Sequence, residues 1–312
     1  MFKKIAVFLV GLGFGVVAFS QVQPNFGQHV EELIKSRDPS VKLRRGSDKS
    51  VTAIFPCGQR QCEQAFFQLP LNRDNVFMNI VVLTEYQAKN KKALLVVRGG
   101  DANVEIKGLL TPNRDGLQYL YNHQDLFHDR HISLIDTGCP SDKLKSYNDC
   151  GDAYRKSQQY ADDFKVIIDF LKKQYGMEDF YVFGHSSGGI SSRWLGVNLS
   201  SELKGIINSS VMNLSRGTDN LSYSTVGFNM DRIKIKVLNI SHQDDACLTT
   251  PYSIVKGYSK NNLVTVLGGG SSGPLCEDTN HHSFEGRQRG VSRAIANWLD
   301  TGVVQATVNS DE

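Results

Sequence analysis

The chain carries almost no excess charge of one sign: 35 Lys+Arg stand against 32 Asp+Glu over 312 residues, a formal +3. Two of the cations, Lys3 and Lys4, sit at the extreme N-terminus, so the remainder is nearly neutral. Bulk charge therefore suggests neither a nucleic-acid surface nor an acidic-membrane binder. Internal repeats, low-complexity tracts and a Pro-rich linker are all missing, which excludes solenoid and beads-on-a-string organisations. No HExxH motif occurs. The one close cysteine pair, Cys57 and Cys62, has no second Cys or His pair of zinc-site type after it. Scattered His123, His128 and His131 read as a helix end and the following loop rather than a metal site. No cofactor is expected.

Long hydrophobic runs are also lacking, apart from Ile5 to Phe19. That run is shorter than the roughly 20 residues needed to span hydrocarbon. It follows Met1-Phe2-Lys3-Lys4 and ends in Ala18-Phe19-Ser20, small residues at −3 and −1 before Gln21. A positive start, an apolar middle and a small-residue exit read as a secretory signal peptide over residues 1–20. The same string imitates a dinucleotide-binding turn through Gly11 and Gly13. The third glycine position holds Val16, and no acidic residue ends a second strand. Export to the periplasm or beyond is the expectation, with no stable membrane anchor. The even cysteine count agrees with an oxidising compartment. Six cysteines allow 15 pairings, and proximity in sequence suggests Cys57–Cys62, Cys139–Cys150 and Cys247–Cys276.

What is present is a 40% hydrophobic chain with strand-like and helix-like periods in alternation. Residues 21–74 read as an N-terminal arm and leading strands, with an amphipathic stretch at His29–Ile34 and a solvated turn at Arg44-Arg45-Gly46. Strands are expected at Val76–Tyr86, Ala93–Val97, His131–Asp136, Asp179–Phe183, Leu203–Ser210, Ile235–Ser241 and Leu263–Leu267. Helices are expected over residues 152–175, closed by Gly176, over Ile190–Leu199, and from about Glu285 to Leu299. Such alternation implies an α/β fold, one domain over residues 75–302 with a mainly parallel sheet and helices on both faces, then a tail at 303–312. Tyr119, Tyr121 and Phe127 read as core before pocket.

The sharpest local signal is Gly184-His185-Ser186-Ser187-Gly188-Gly189, between a predicted strand and a predicted helix. That is the context of a nucleophile elbow, whose glycines let a strained turn present a serine above the sheet at a helix N-terminus. A serine hydroxyl needs a base and a group to orient that base, in chain order serine, acid, histidine. His242-Gln243-Asp244-Asp245-Ala246-Cys247 follows one strand and Asn280-His281-His282-Ser283-Phe284-Glu285-Gly286 follows the next. Both fall on the carboxyl edge of a parallel sheet, where α/β proteins bind ligands. His185 and His242 read as packing and loop residues, and Gly268–Gly273 as a flexible connection, since no Gly-Lys-Ser/Thr follows.

On these motifs, the chain resembles an exported member of the α/β-hydrolase superfamily over roughly residues 75–300. The resemblance implies Ser186 as nucleophile, Asp245 as acid with Asp244 second, and His282 as base with His281 second. It implies an oxyanion hole from the backbone amides of Ser187 and Gly100, with Asp101 second, although Arg98 stands where the family often has histidine. A Cys247–Cys276 bridge would then tie the acid loop to the base loop. The activity implied is Ser-Asp-His acyl-enzyme chemistry on a small-molecule ester, with amides or peptides second. A catalytically silent binding protein of the same fold is the alternative from another class. Residues 212–232 occupy the usual lid position and are short and polar.

Overall fold

The computed structural model describes residues 25–47, 49–57, 59–99, 118–144, 150–214 and 227–312. The signal-peptide segment, Gly100, Asp101 and most of the 212–232 segment lie outside these. Eleven strands form one sheet in the order β1-β2-β3-β4-β6-β5-β7-β8-β9-β10-β11. They are β1 (Lys42–Ser47), β2 (Ser50–Cys57), β3 (Arg60–Pro70), β4 (Phe77–Glu85), β5 (Lys92–Val97), β6 (Ile132–Pro140), β7 (Asp179–His185), β8 (Leu203–Ser209), β9 (Lys236–His242), β10 (Leu263–Val266) and β11 (Thr307–Val308). From β6 to β11 every neighbouring pair is parallel; β1 to β4, and β4 against β6, are antiparallel. The sheet is thus mainly parallel, with an antiparallel flank built by two tight hairpins.

The β1 strand differs from the sequence reading. Arg44, Arg45 and Gly46 lie within it rather than in a turn, the two arginines paired to β2 and Gly46 at a bulge where the register shifts. Edge strands with one wet face tolerate charge, and period-2 hydrophobicity is then too weak to see. By contrast β5 and β6 read as continuous apolar runs because both of their faces are buried.

Helices cover both faces. On one, α1 (Phe26–Arg37), α2 (Gln118–Asn122), α3 (Gln124–His128) and a later helix, Gln288–Thr301, enclose a core holding Phe26, Phe127, Phe183, Ile240 and Trp298. On the other, α4 (Asp152–Arg155), α5 (Gln158–Tyr175) and α6 (Gly188–Asn198) enclose Leu95, Ile135, Phe164, Ile167 and Val182. A short helix α7 (Tyr252–Tyr258) precedes β10, and Gln288–Thr301 is α8. The predicted helix over 152–175 is interrupted at Lys156-Ser157, because Ser157 caps α5 by accepting the Tyr160 N–H at 3.2 Å. Gly176 ends α5 in the left-handed region, at φ 67°. Tyr119 and Phe127 are core residues.

Candidate active site

β5 and β7 are neighbours in register, with Val97 opposite Gly184. This brings Arg98-Gly99 beside the turn that follows β7. In that turn Ser186 adopts φ 54°, the left-handed region that costs a β-carbon residue strain. Its N–H donates to the Ser209 carbonyl at 3.0 Å, while its own carbonyl accepts from Met212 at 3.1 Å and Gly189 at 3.1 Å. Loop and strand together therefore over-determine the strained residue. The flanking glycines are enforced by space: a β-carbon at Gly184 would lie 2.3 Å from the Gly188 carbonyl oxygen, and one at Gly188 would lie 2.5 Å from the Val97 carbonyl oxygen. A β-carbon at Gly189 would meet Val211 Cγ1 at 2.3 Å. Helix α6 starts directly afterwards with Ser187 as its N-cap, so its positive end faces Ser186.

The acid loop leaves β9. Asp245 is buried and fully engaged: Oδ1 accepts the Cys247 N–H at 2.9 Å, and Oδ2 accepts Thr250 Oγ1–H at 2.7 Å and lies 3.1 Å from His282 Nδ1. Asp244 is exposed. Its amide donates to His242 Nδ1 at 3.0 Å, and His242 Nε2 then donates to the Gly268 carbonyl at 2.7 Å. His242 is thereby a brace between the acid loop and the glycine tract. Burial lowers its pKa, which suits an imidazole using one nitrogen as acceptor.

The base loop is a short helical turn, His281–Ser283, capped by Asn280, whose Oδ1 accepts the His281 N–H at 2.7 Å. Asn280 Nδ2 also donates to the Gly273 carbonyl at 2.9 Å. Phe284 turns the chain at φ 59°, and its ring is fully buried. His282 is 1% exposed. With its Nδ1–H given to Asp245, the lone pair sits on Nε2, which is buried and meets no partner. His281, half-buried, stacks on His242 at 4.0 Å between ring centroids and faces the Asp244 carbonyl instead. The structure thus joins Asp245 to His282 and leaves Asp244 and His281 outside that pair.

His282 also sits against the elbow, its ring 4.9 Å from that of His185. His185 is buried, with Nδ1 3.1 Å from Ser209 Oγ. Burial first, and His282 second, push its pKa well below the ordinary histidine value, so it stays neutral. Ser186 follows the carboxyl end of β7, and the Asp245–His282 pair is built from the loops that follow β9 and β10. A β-carbon at Gly99 would lie 3.0 Å from the His185 carbonyl oxygen and 3.1 Å from Ser186 Cβ, so a larger residue there would make the elbow give by a few tenths of an ångström.

The six cysteines stand at disulfide distance in three pairs, Cys57–Cys62, Cys139–Cys150 and Cys247–Cys276, with Cα separations of 5.7, 6.2 and 4.8 Å. The last links the acid loop to the base loop. Sequence reasoning did not reach Thr250 or Asn280. Both act through side-chain hydrogen bonds whose partners are set by loop geometry, and no periodicity marks them. The glycine tract, read as a flexible connection, is instead packed: Gly270 N–H donates to Glu285 O at 2.8 Å, and a β-carbon at Gly269 would lie 2.2 Å from that same oxygen.

The protein has the α/β-hydrolase fold. Among solved structures it is similar to Est1E from Butyrivibrio proteoclasticus, with a TM-score of 0.51 at 13% identity over 75% of this chain and 97% of that one. It is similar as well to XC6422 from Xanthomonas campestris, an α/β serine hydrolase without a lid, with a TM-score of 0.50 at 12% identity over 79% of this chain and 95% of that one. A third is the S-formylglutathione hydrolase of Staphylococcus aureus, with a TM-score of 0.51 at 12% identity over 79% and 99%. No family model matches the sequence, and no curated protein matches it. At these identities the likeness is one of fold.

Proposed function

We propose that this protein is a serine hydrolase that transfers an acyl group from a small carboxylic ester to water. One observation carries the reading: the Asp245–His282 pair presents a buried, unpartnered Nε2 on a ring that lies 4.9 Å from that of His185, the neighbour of a serine held at positive φ on a strand-to-helix turn. In this reading Nε2 takes the proton of Ser186 Oγ as the hydroxyl attacks the ester carbonyl, and Asp245 orients and stabilises the imidazolium. The Ser187 amide at the start of α6 and the Gly100 amide beyond β5 hold the oxyanion. Nε2–H then protonates the departing alcohol. Water, activated by the same nitrogen, releases the acid. No cofactor takes part.

The ester reading draws on the neighbours at comparable TM-score, which include an α/β serine hydrolase without a lid and an S-formylglutathione hydrolase. We also place the protein outside the cytosol, on the leader at 1–20 and the three disulfide-distance pairs. No helix among the described residues is long and apolar enough to cross a membrane.

The test is the intact mass of the mature chain after a fluorophosphonate probe, beside Ser186→Ala, followed by a panel of nitrophenyl esters. One adduct on the native chain and none on the variant is expected. A folded native chain that takes no adduct overturns the reading and leaves a binding protein of hydrolase fold.

A further inference from the structure

At the opposite edge of the sheet lies a cluster that the proposed reaction does not use. Cys57 ends β2 and Cys62 lies near the start of β3, on one hairpin with four residues between them. Sequence offered no further ligand near this pair. The fold supplies one: His128, the last residue of α3, has its Nδ1 3.3 Å from Cys62 Sγ, 66 positions away in the chain. Among the described residues this is the one group of three His, Cys, Asp or Glu whose ligand atoms all lie within 4.8 Å of one another.

We propose that Cys57, Cys62 and His128 form a redox-gated site for a thiophilic divalent cation of the zinc class, closed as the disulfide and opened by a dithiol reductant. Three observations carry it. Tetrahedral zinc with Zn–S of about 2.3 Å and Zn–N of about 2.0–2.1 Å sets a sulfur-to-nitrogen edge of roughly 3.5 Å, so the 3.3 Å contact is already near the required length. Four intervening residues fall within the usual spacing of zinc cysteines. His128 is 2% exposed and its Nε2 meets no partner, so burying this imidazole against the two sulfurs leaves a polar atom unsatisfied that packing alone does not explain. A cleft of about 490 Å³ opens onto the cluster, lined by Cys57, His128, Asp125 and Asp129 among others. It gives reductant and metal an approach, and water a fourth coordination position. Asp125 and Asp129 are engaged by Arg289 and Arg60.

The disulfide and the metal exclude one another, since the ligand is the thiolate. Cys57 is the half-buried sulfur and lines the cleft, whereas Cys62 is fully buried. A thiolate of the dithiol therefore attacks Cys57 Sγ, and Cys62 leaves as a thiolate beside His128. The second thiol of the reductant resolves the mixed disulfide, so two electrons and two protons pass to the protein and the reductant becomes a disulfide. Binding M²⁺ then displaces the thiol protons to solvent.

The experiment uses Co²⁺ as the probe on the full mature chain, oxidised and after reduction by dithiothreitol that is then removed under argon. Reduced wild type is expected to bind one Co²⁺ with a near-ultraviolet sulfur-to-cobalt band and tetrahedral ligand-field bands. The oxidised chain should bind none. Zinc should protect Cys57 and Cys62, and not the other four cysteines, from iodoacetamide in peptide maps. Cys57→Ala/Cys62→Ala should bind none under the same reduction, and His128→Gln should bind at least tenfold more weakly, with circular dichroism of its oxidised form as the folding control. Equal uptake by the double variant, unchanged affinity in His128→Gln, or no cobalt on reduced wild type overturns the proposal. Ser186 labelling is independent of all these readouts, so the two readings fail separately.

Discussion

Thr250 holds the carboxylate of Asp245 through a 2.7 Å hydrogen bond to Oδ2, the same oxygen that faces His282 Nδ1 at 3.1 Å. The hydroxyl has one proton, and giving it to Asp245 leaves an oxygen lone pair directed at the histidine, 3.3 Å away. Thr250→Val keeps the shape and removes the bond. The expected loss is about 0.5–1.5 kcal/mol in transition-state stabilisation, up to roughly tenfold in kcat/KM on a nitrophenyl ester. A variant as active as wild type would show that the carboxylate is positioned without it.

The two adjacent aspartates and the two adjacent histidines give a sharper contrast. Asp245→Asn should lower kcat by about 10³–10⁴, because the amide offers His282 the wrong hydrogen-bond partner. Asp244→Asn, exposed and bonded elsewhere only through its backbone, should remain near wild type. His282→Ala should abolish turnover, whereas His281→Ala should cost little beyond its stacking on His242. Steady-state kinetics on the four purified variants decides it; a reversed order within either pair would reassign the roles.

Crowding at the elbow predicts a suppressor. Gly189→Ala places its methyl against Val211 Cγ1, a side chain, so the expected cost is about 1–3 kcal/mol of stability. Val211→Gly, which also removes the Cβ that would lie at 2.5 Å, should relieve part of it in the double variant, and urea denaturation measures the coupling. Gly184→Ala meets backbone at 2.3 Å and has no such remedy, so that variant should be recovered poorly folded or not at all.

Buried neutral His185 predicts a pH dependence of stability. Its folded pKa is depressed, by burial and then by His282, while the unfolded imidazole titrates near about 6.5. Below that value the unfolded chain binds the extra proton, so stability is full above it and is lost as pH falls toward the folded value. His185→Gln removes this one contribution. Its unfolding free energy should therefore fall less steeply than wild type from about pH 7.5 to pH 5 by denaturant titration. Parallel curves would contradict the assignment.

The Cys247–Cys276 link spans 29 residues and joins the acid loop to the base loop. Cys247→Ser/Cys276→Ser should cost about 3–4 kcal/mol of stability on chain-entropy grounds. The fall in melting temperature measures it, and activity should decline at temperatures below the new transition as the two loops separate.

What the sequence determined by itself was whatever depends on neighbours along the chain. The buried strands β5, β6 and β7 announce themselves as apolar runs, α5 by its stripe and its closing Gly176, and the elbow by glycines that a strand-to-helix turn demands. Their order along the chain was enough to reach a mainly parallel α/β sheet. Other features depended on residues far apart in sequence. The β1 edge strand, with charged residues on a wet surface, carries no period to detect. Whether Asp245 or Asp244, and His282 or His281, meet one another turns on side-chain direction in two loops, and adjacent residues differ there without leaving any trace in composition. Thr250, Asn280 and the placement of His128 against Cys62 belong to the same class. Each is a contact between segments that only the packed sheet brings within hydrogen-bonding distance, and tertiary packing alone decided them.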